Sequence, residues 1–136
     1  MKDKIDINLK IEVESLFGKL GIDYVYDPEL LGWLFREKNH IIFMSVVEII
    51  DDRLLSFFVK LGEFPEDYTS EQLYTLLSYN MKSAFVSFAI NGRSIYMKYV
   101  TQIKELDSEE FLIALKVVSF NIEKCANIVK KLIETP

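Results

Sequence analysis

Between residues 40 and 61 the chain carries two long apolar runs, His40-Ile41-Ile42-Phe43-Met44-Ser45-Val46-Val47-Glu48-Ile49-Ile50 and Arg53-Leu54-Leu55-Ser56-Phe57-Phe58-Val59-Lys60-Leu61, separated by Asp51-Asp52. β-Branched and aromatic residues suit a pleated surface and aspartate tolerates turn conformations, so the pattern predicts two adjacent strands joined by a tight turn at the aspartates. In the first run one alternating set is Ile41, Phe43, Ser45, Val47 and Ile49, and the other is Ile42, Met44, Val46, Glu48 and Ile50. Both faces are therefore mostly apolar. An antiparallel sheet ordinarily shows water one polar face, so something must cover the second face here. The alternative for this stretch is a helix, because Val46, Ile50, Leu54, Phe57, Phe58 and Leu61 also fit helical spacing. A membrane span is not expected: Glu48, Asp51, Asp52, Arg53 and Lys60 interrupt the stretch, whereas a spanning helix takes roughly 20 predominantly apolar residues.

Upstream, Ile5, Ile7, Leu9, Ile11 and Val13 alternate like a strand, while Leu9, Val13, Leu16, Phe17 and Leu20 follow helical spacing. The helix is the better reading, because Lys10, Glu12, Glu14 and Lys19 fill its other face and Gly21 stands where a C-terminal cap belongs. A short strand over 22–26 closes at Asp27-Pro28, a longer one covers 30–37, and Lys38-Asn39 turns into the central pair. After a break at 62–67, Thr69 with Gln72 has the form of a capping box opening a helix. Its stripe is Leu73, Leu76 and Leu77, with Met81 as a further candidate. Strands over 84–90 and 94–101 flank Asn91-Gly92, a strong hairpin-turn dipeptide. Asp107 with Glu110 then caps a long helix to about residue 133. Its stripe is Phe111, Leu115, Val118, Ile122, Cys125, Val129 and Leu132, and Leu112, Ala126 and Ile133 widen one flank. The order helix, meander, helix, hairpin, helix predicts a single α+β domain over 1–136, an antiparallel sheet of five or six strands with helices packed on it.

Three segments resemble a known family. Leu76-Leu77-Ser78-Tyr79-Asn80-Met81 is similar to the leucine-rich second helix, ending in asparagine, of the YbjN-like proteins, small proteins described as sensory transduction regulators with the type III secretion chaperone-like fold. Ala84-Phe85-Val86-Ser87-Phe88-Ala89-Ile90-Asn91-Gly92-Arg93 resembles that family's hairpin, and Leu106-Asp107-Ser108-Glu109-Glu110-Phe111 resembles its approach to the last helix. The earlier strands match in order and rough length. The resemblance implies a type III secretion chaperone-like fold and a small acidic dimer that holds a segment of another protein. It transfers no binding residue, because these are patterns of apolar residues and turns, and fold does not fix function.

Half of the 136 residues are hydrophobic, 13% are aromatic and five are glycine, which excludes disorder and is richer than a small monomer requires. With 16 basic and 21 acidic residues the net charge is −5, so attraction to nucleic-acid phosphates or anionic lipid is weak and cationic partners are more compatible. A single cysteine and the lack of an N-terminal apolar segment predict a cytoplasmic protein without an intramolecular disulfide.

Candidate chemistry is sparse. His40 is the one histidine, at a predicted turn without an orienting partner, and Cys125 lies on the apolar stripe of the last helix. Neither is expected to be catalytic, and with no second Cys or His no transition-metal site and no cofactor are expected. Asp51-Asp52, Glu66-Asp67 and Glu109-Glu110 read as a turn, a loop and a first helical turn. Gly18, Gly21 and Gly92 lack the context of a phosphate-binding loop. Phe85, Phe88, Tyr96 and Tyr99 could stack bases. Only Arg93, Lys98 and Lys104 lie near them, so core packing is the expected role. Two functions remain: a non-enzymatic, homodimeric module, chaperone-like or regulatory, that binds a partner protein through apolar surface, or a small-molecule sensor or enzyme with a pocket between sheet and helices.

Overall fold

A computed structural model describes residues 6–83, 85–103 and 107–134. Its elements run α1 (Ile7–Leu20), β1 (Tyr24–Asp27), β2 (Gly32–Glu37), β3 (His40–Ile49), β4 (Asp52–Glu63), α2 (Ser70–Asn80), β5 (Ser87–Asn91), β6 (Ser94–Ile103) and α3 (Ser108–Glu134). The class is the expected one: α+β, with six antiparallel strands in the spatial order β1-β2-β3-β4-β6-β5 and three helices. Of the positions used above, Ile5, Ala84, Lys104 and Leu106 lie outside the described residues.

The local chemistry of the helix ends is that of the sequence pattern. Asp6 caps α1 by accepting from Asn8 N–H, and Gly21 ends the helix at φ 68°. Thr69 and Gln72 form the reciprocal capping box of α2, and Asp107 Oδ1 accepts from Glu110 N–H at 2.8 Å to open α3. Each such cap satisfies donors that a helix start leaves without intrahelical partners. On α3 the buried stripe is Phe111, Ala114, Val118, Ile122, Cys125, Val129 and Leu132. Ala114 takes the place expected of Leu115, which is half-buried, and Leu112 of the expected flank is exposed. α2 buries Leu76 fully and Leu73 partly, whereas Leu77 and Met81 are exposed.

Two turns differ from the expected ones. The central pair aligns Ile49 with Asp52, so its turn residues are Ile50 and Asp51, not the two aspartates. Ile50 has φ 54° and is 95% exposed. The eight cross-strand pairs that place Phe57 opposite Met44 and Val59 opposite Ile42 outweigh the local preference of one aspartate for the turn. In the hairpin Asn91 pairs with Ser94, so the turn residues are Gly92 and Arg93. Gly92 takes φ 62° and Arg93 does not, the pattern of a turn with glycine at its first central position.

All three helices share one face of the sheet. Leu9, Val13, Leu16 and Phe17 of α1, Leu76 of α2 and the α3 stripe join one core with Trp33, Phe35, Ile42, Met44, Leu55, Phe57, Val59, Phe88, Ile95 and Met97 from the strands. Phe17 is its joint, with ring centroids 5.5 Å from Phe35 and 5.6 Å from Phe111. α1 is also keyed to the sheet by a polar contact. Trp33 is fully buried, and its indole Nε1–H donates to Glu14 Oε2 at 3.0 Å, while Lys10 Nζ lies 3.0 Å from the same carboxylate. Burial pushes the Glu14 carboxyl up, but the Trp33 and Lys10 contacts outweigh it and hold the group below its ordinary value of 4.5.

Because the folded value is depressed, the stability Glu14 contributes is complete above the ordinary carboxylate range and is lost as pH falls through the folded value. Glu14→Gln should therefore flatten the acid side of the stability-against-pH curve, measured as urea midpoints from pH 3 to 7. Glu14→Ala should cost about 1–3 kcal/mol more at neutral pH by leaving the buried indole N–H unpaired. Identical acid limbs for the wild type and Glu14→Gln would contradict this role. At the turns, Gly92→Val should destabilise by about 1–3 kcal/mol and Ile50→Gly should stabilise by relieving strain of similar origin. Unmoved denaturation midpoints for both would count against these backbone conformations.

Candidate functional site

The residues with chemical potential are scattered. His40 begins β3 on the helix side of the sheet, half-buried, and its Nδ1 is buried without a hydrogen-bond partner. Cys125 is buried on α3, and desolvation pushes its thiol pKa up against a smaller opposing pull from Lys124. Asp51 is in the turn, Asp52 at the start of β4, Glu66 and Asp67 in the loop before α2, and Glu109 and Glu110 in the first turn of α3. Among the described residues no group of three or more His, Cys, Asp or Glu side chains could hold a metal ion. The four hairpin aromatics do not form one platform. Phe88 is in the core and Tyr99 stacks on Phe57 on the helix side, whereas Tyr96 lies on the opposite face against Phe58, and Phe85 is exposed.

What the fold does assemble is apolar surface, in two places. The first is the sheet face turned away from the helices. Register places Val25, Leu34, Phe43, Phe58, Tyr96, Val47, Leu54 and Val100 there, with Ile41 and Ile49 at the ends of β3. No described helix covers them. Ile41 is 54% and Val25 66% exposed, and Phe43, Phe58, Leu34 and Leu54 are only half-buried. Phe43 rests on Gly32, where a Cβ would overlap its ring and lie 2.6 Å from the Met44 carbonyl oxygen, so glycine lets the aromatic lie flat on the sheet. This face also carries cations: Lys60 Nζ is 2.9 Å from Glu63, Lys98 lies 5.4 Å over the Phe58 ring, and Arg36 stands exposed beside Ile41.

The second is a trough between α3 and the segment from α2 to β5. Its first stretch, about 780 Å³, has Phe88, Val117, Cys125 and Ile128 among its lining, Phe85 and Phe120 at its sides and Lys82, Lys116 and Lys124 around it. A second stretch of about 640 Å³ shares Tyr79, Lys124 and Ile128 and continues to Thr69 and Leu132. Sequence reasoning missed this site. Phe120 is 83% exposed on the outer side of a helix whose stripe drew attention inward, and the lysines are spread over 42 positions of sequence, 82 to 124.

The sheet edge beside the trough is blocked at Phe88. Asn80, the last residue of α2, accepts from Phe88 N–H at 2.7 Å and donates to Phe88 C=O at 3.3 Å, so its amide stands in for a neighbouring strand along the outer side of β5. A scan against protein-family models finds no match for the chain, and a search of curated proteins finds no relative. No described helix is long and apolar enough to cross a membrane.

Asn80→Ala should cost about 1–2 kcal/mol for its two hydrogen bonds and speed amide exchange at Phe88 more than at Met97 on the paired strand. Unchanged Phe88 exchange in the variant would show that the edge is protected by something else.

Proposed function

We propose that this protein is a non-enzymatic interaction module, chaperone-like or regulatory, that acts in the cytoplasm as a homodimer and binds a partner protein. The observation that carries the reading is the uncovered apolar sheet face. With strands ~4.8 Å apart and ~3.4 Å per residue, six strands and seven residues along them span roughly 600 Å², so two copies would bury about 1,200 Å² together, the lower end of specific interfaces. The apolar part of that face gains by leaving water, and two-fold pairing with a second copy closes it off. The Glu63 carboxylate offsets the charge of Lys60, which lowers one part of the repulsion between facing copies. The likeness of the α2, hairpin and α3 segments to YbjN-like proteins with the type III secretion chaperone-like fold supports the same reading.

At micromolar concentration the wild-type chain should sediment at twice 15.9 kDa. Ile41→Lys with Val47→Lys should shift it to 15.9 kDa with the circular dichroism spectrum kept, since both side chains are exposed in the single chain. Affinity capture with the wild type should retain a stoichiometric protein partner rather than a metabolite. A wild-type mass of 15.9 kDa at that concentration would remove the dimer.

A further inference from the structure

The trough beside α3 runs against the charge of the whole chain. At net −5 the protein as a whole favours cationic partners, yet no acidic residue lines the first stretch of the trough and Lys82, Lys116 and Lys124 surround it. Among the described residues these three lysines make no ion pair, while Lys10, Arg53 and Lys60 are matched to Glu14, Glu12 and Glu63. Between the lysines stand two aromatic rings held out in solvent, Phe120 at 83% and Phe85 at 68% exposure. Large apolar side chains exposed together beside unpaired charge mark a surface built for a partner.

We infer that this trough seats an acidic amphipathic helix of a partner protein, with its apolar side against Phe85 and Phe120 and its carboxylates beside Lys82, Lys116 and Lys124. The inference rests on the interaction-module reading and adds where the partner is held and what chemistry it carries. Length separates a helix from a small ligand. Along α3 the first stretch alone runs from Lys116 to Ile128, ~18 Å at 1.5 Å per residue, room for about three helical turns in one open channel, while the second stretch shares Tyr79, Lys124 and Ile128 with it and brings the acidic Glu71 into its lining. A drug-sized molecule is ordinarily enclosed over most of its surface, which an open channel does not provide. An added strand is disfavoured at this edge because Asn80 already occupies the outer backbone groups of Phe88. That leaves the helix-in-groove mode, read by apolar anchors at helical spacing with charges on the flanks.

The test uses a fluorescent 16-residue peptide with a leucine and phenylalanine face flanked by glutamates, a second peptide with lysines in place of the glutamates, dodecanoate, and an oligo-dT strand, each titrated against the full chain. The acidic peptide should bind at micromolar concentration and the lysine peptide at least about tenfold more weakly, with affinity falling as salt rises. Lys116→Glu with Lys124→Glu should invert that preference, and Phe120→Ala should weaken the acidic peptide about tenfold. All three side chains are exposed, so the fold should tolerate the changes, and sedimentation mass should stay that of the wild type. A monomer that still prefers the acidic peptide supports the trough and removes only the sheet-face pairing. Equal binding of the two peptides, no binding of the acidic one, indifference to these variants, or displacement of the acidic peptide by dodecanoate or oligo-dT would overturn the inference.

Discussion

The whole architecture depends on one imbalance: a sheet that is apolar on both faces meets helices that cover only one. Ile42, Met44, Phe57 and Val59 face α1 and α3 and are buried to within 1% of their surface. Their neighbours Phe43, Phe58, Val47 and Leu54 face away and meet no described helix. Burial at ~25 cal/mol per Å² drives the first set together, and the same free energy remains unrealised for the second in a single chain.

The Phe17–Phe35–Phe111 contact helps to hold α1 and α3 on the same face. α1 is held to β2 by Phe17, Trp33 and the Glu14 carboxylate, and the same Phe17 ring meets Phe111 at the start of α3. Moving α3 would break that aromatic joint, and moving α1 would also take Glu14 away from the Trp33 indole N–H, each a cost of order 1 kcal/mol or more. α1 and α3 are thereby joined in one layer, α3 stays on the sheet as far as Val129 and Ile133 over Gly62, and the trough lies between α3 and the segment from α2 to β5.

Much of this was legible along the chain, and the exceptions have physical causes. Interleaved apolar sets in 41–50 revealed a two-sided sheet because side chains alternate strictly along a strand, and caps at Thr69 and Asp107 were visible because capping depends on residues three apart. The turns were shifted, since the choice between Ile50-Asp51 and Asp51-Asp52, or between Gly92-Arg93 and Asn91-Gly92, is decided by register over the whole ladder and not by the dipeptide. That the helices would share a side was open, because helical periodicity says which stripe is buried and not against which face. The trough was invisible for a related reason: Lys82, Phe85, Lys116, Phe120 and Lys124 come from two distant segments, and only the packing of α2 beside α3 brings them together.

On this reading the chain associates through the sheet face that no described helix covers. Hydroxyl-radical footprinting as a function of protein concentration reads it residue by residue, since Phe43, Phe58 and Tyr96 lie on that face while Phe85 and Phe120 lie in the trough. As concentration rises through the micromolar range, labelling of Phe43, Phe58 and Tyr96 should fall together while Phe85 and Phe120 stay reactive. Labelling of the sheet-face aromatics that does not change with concentration, or protection that appears at Phe85 and Phe120 instead, would contradict it.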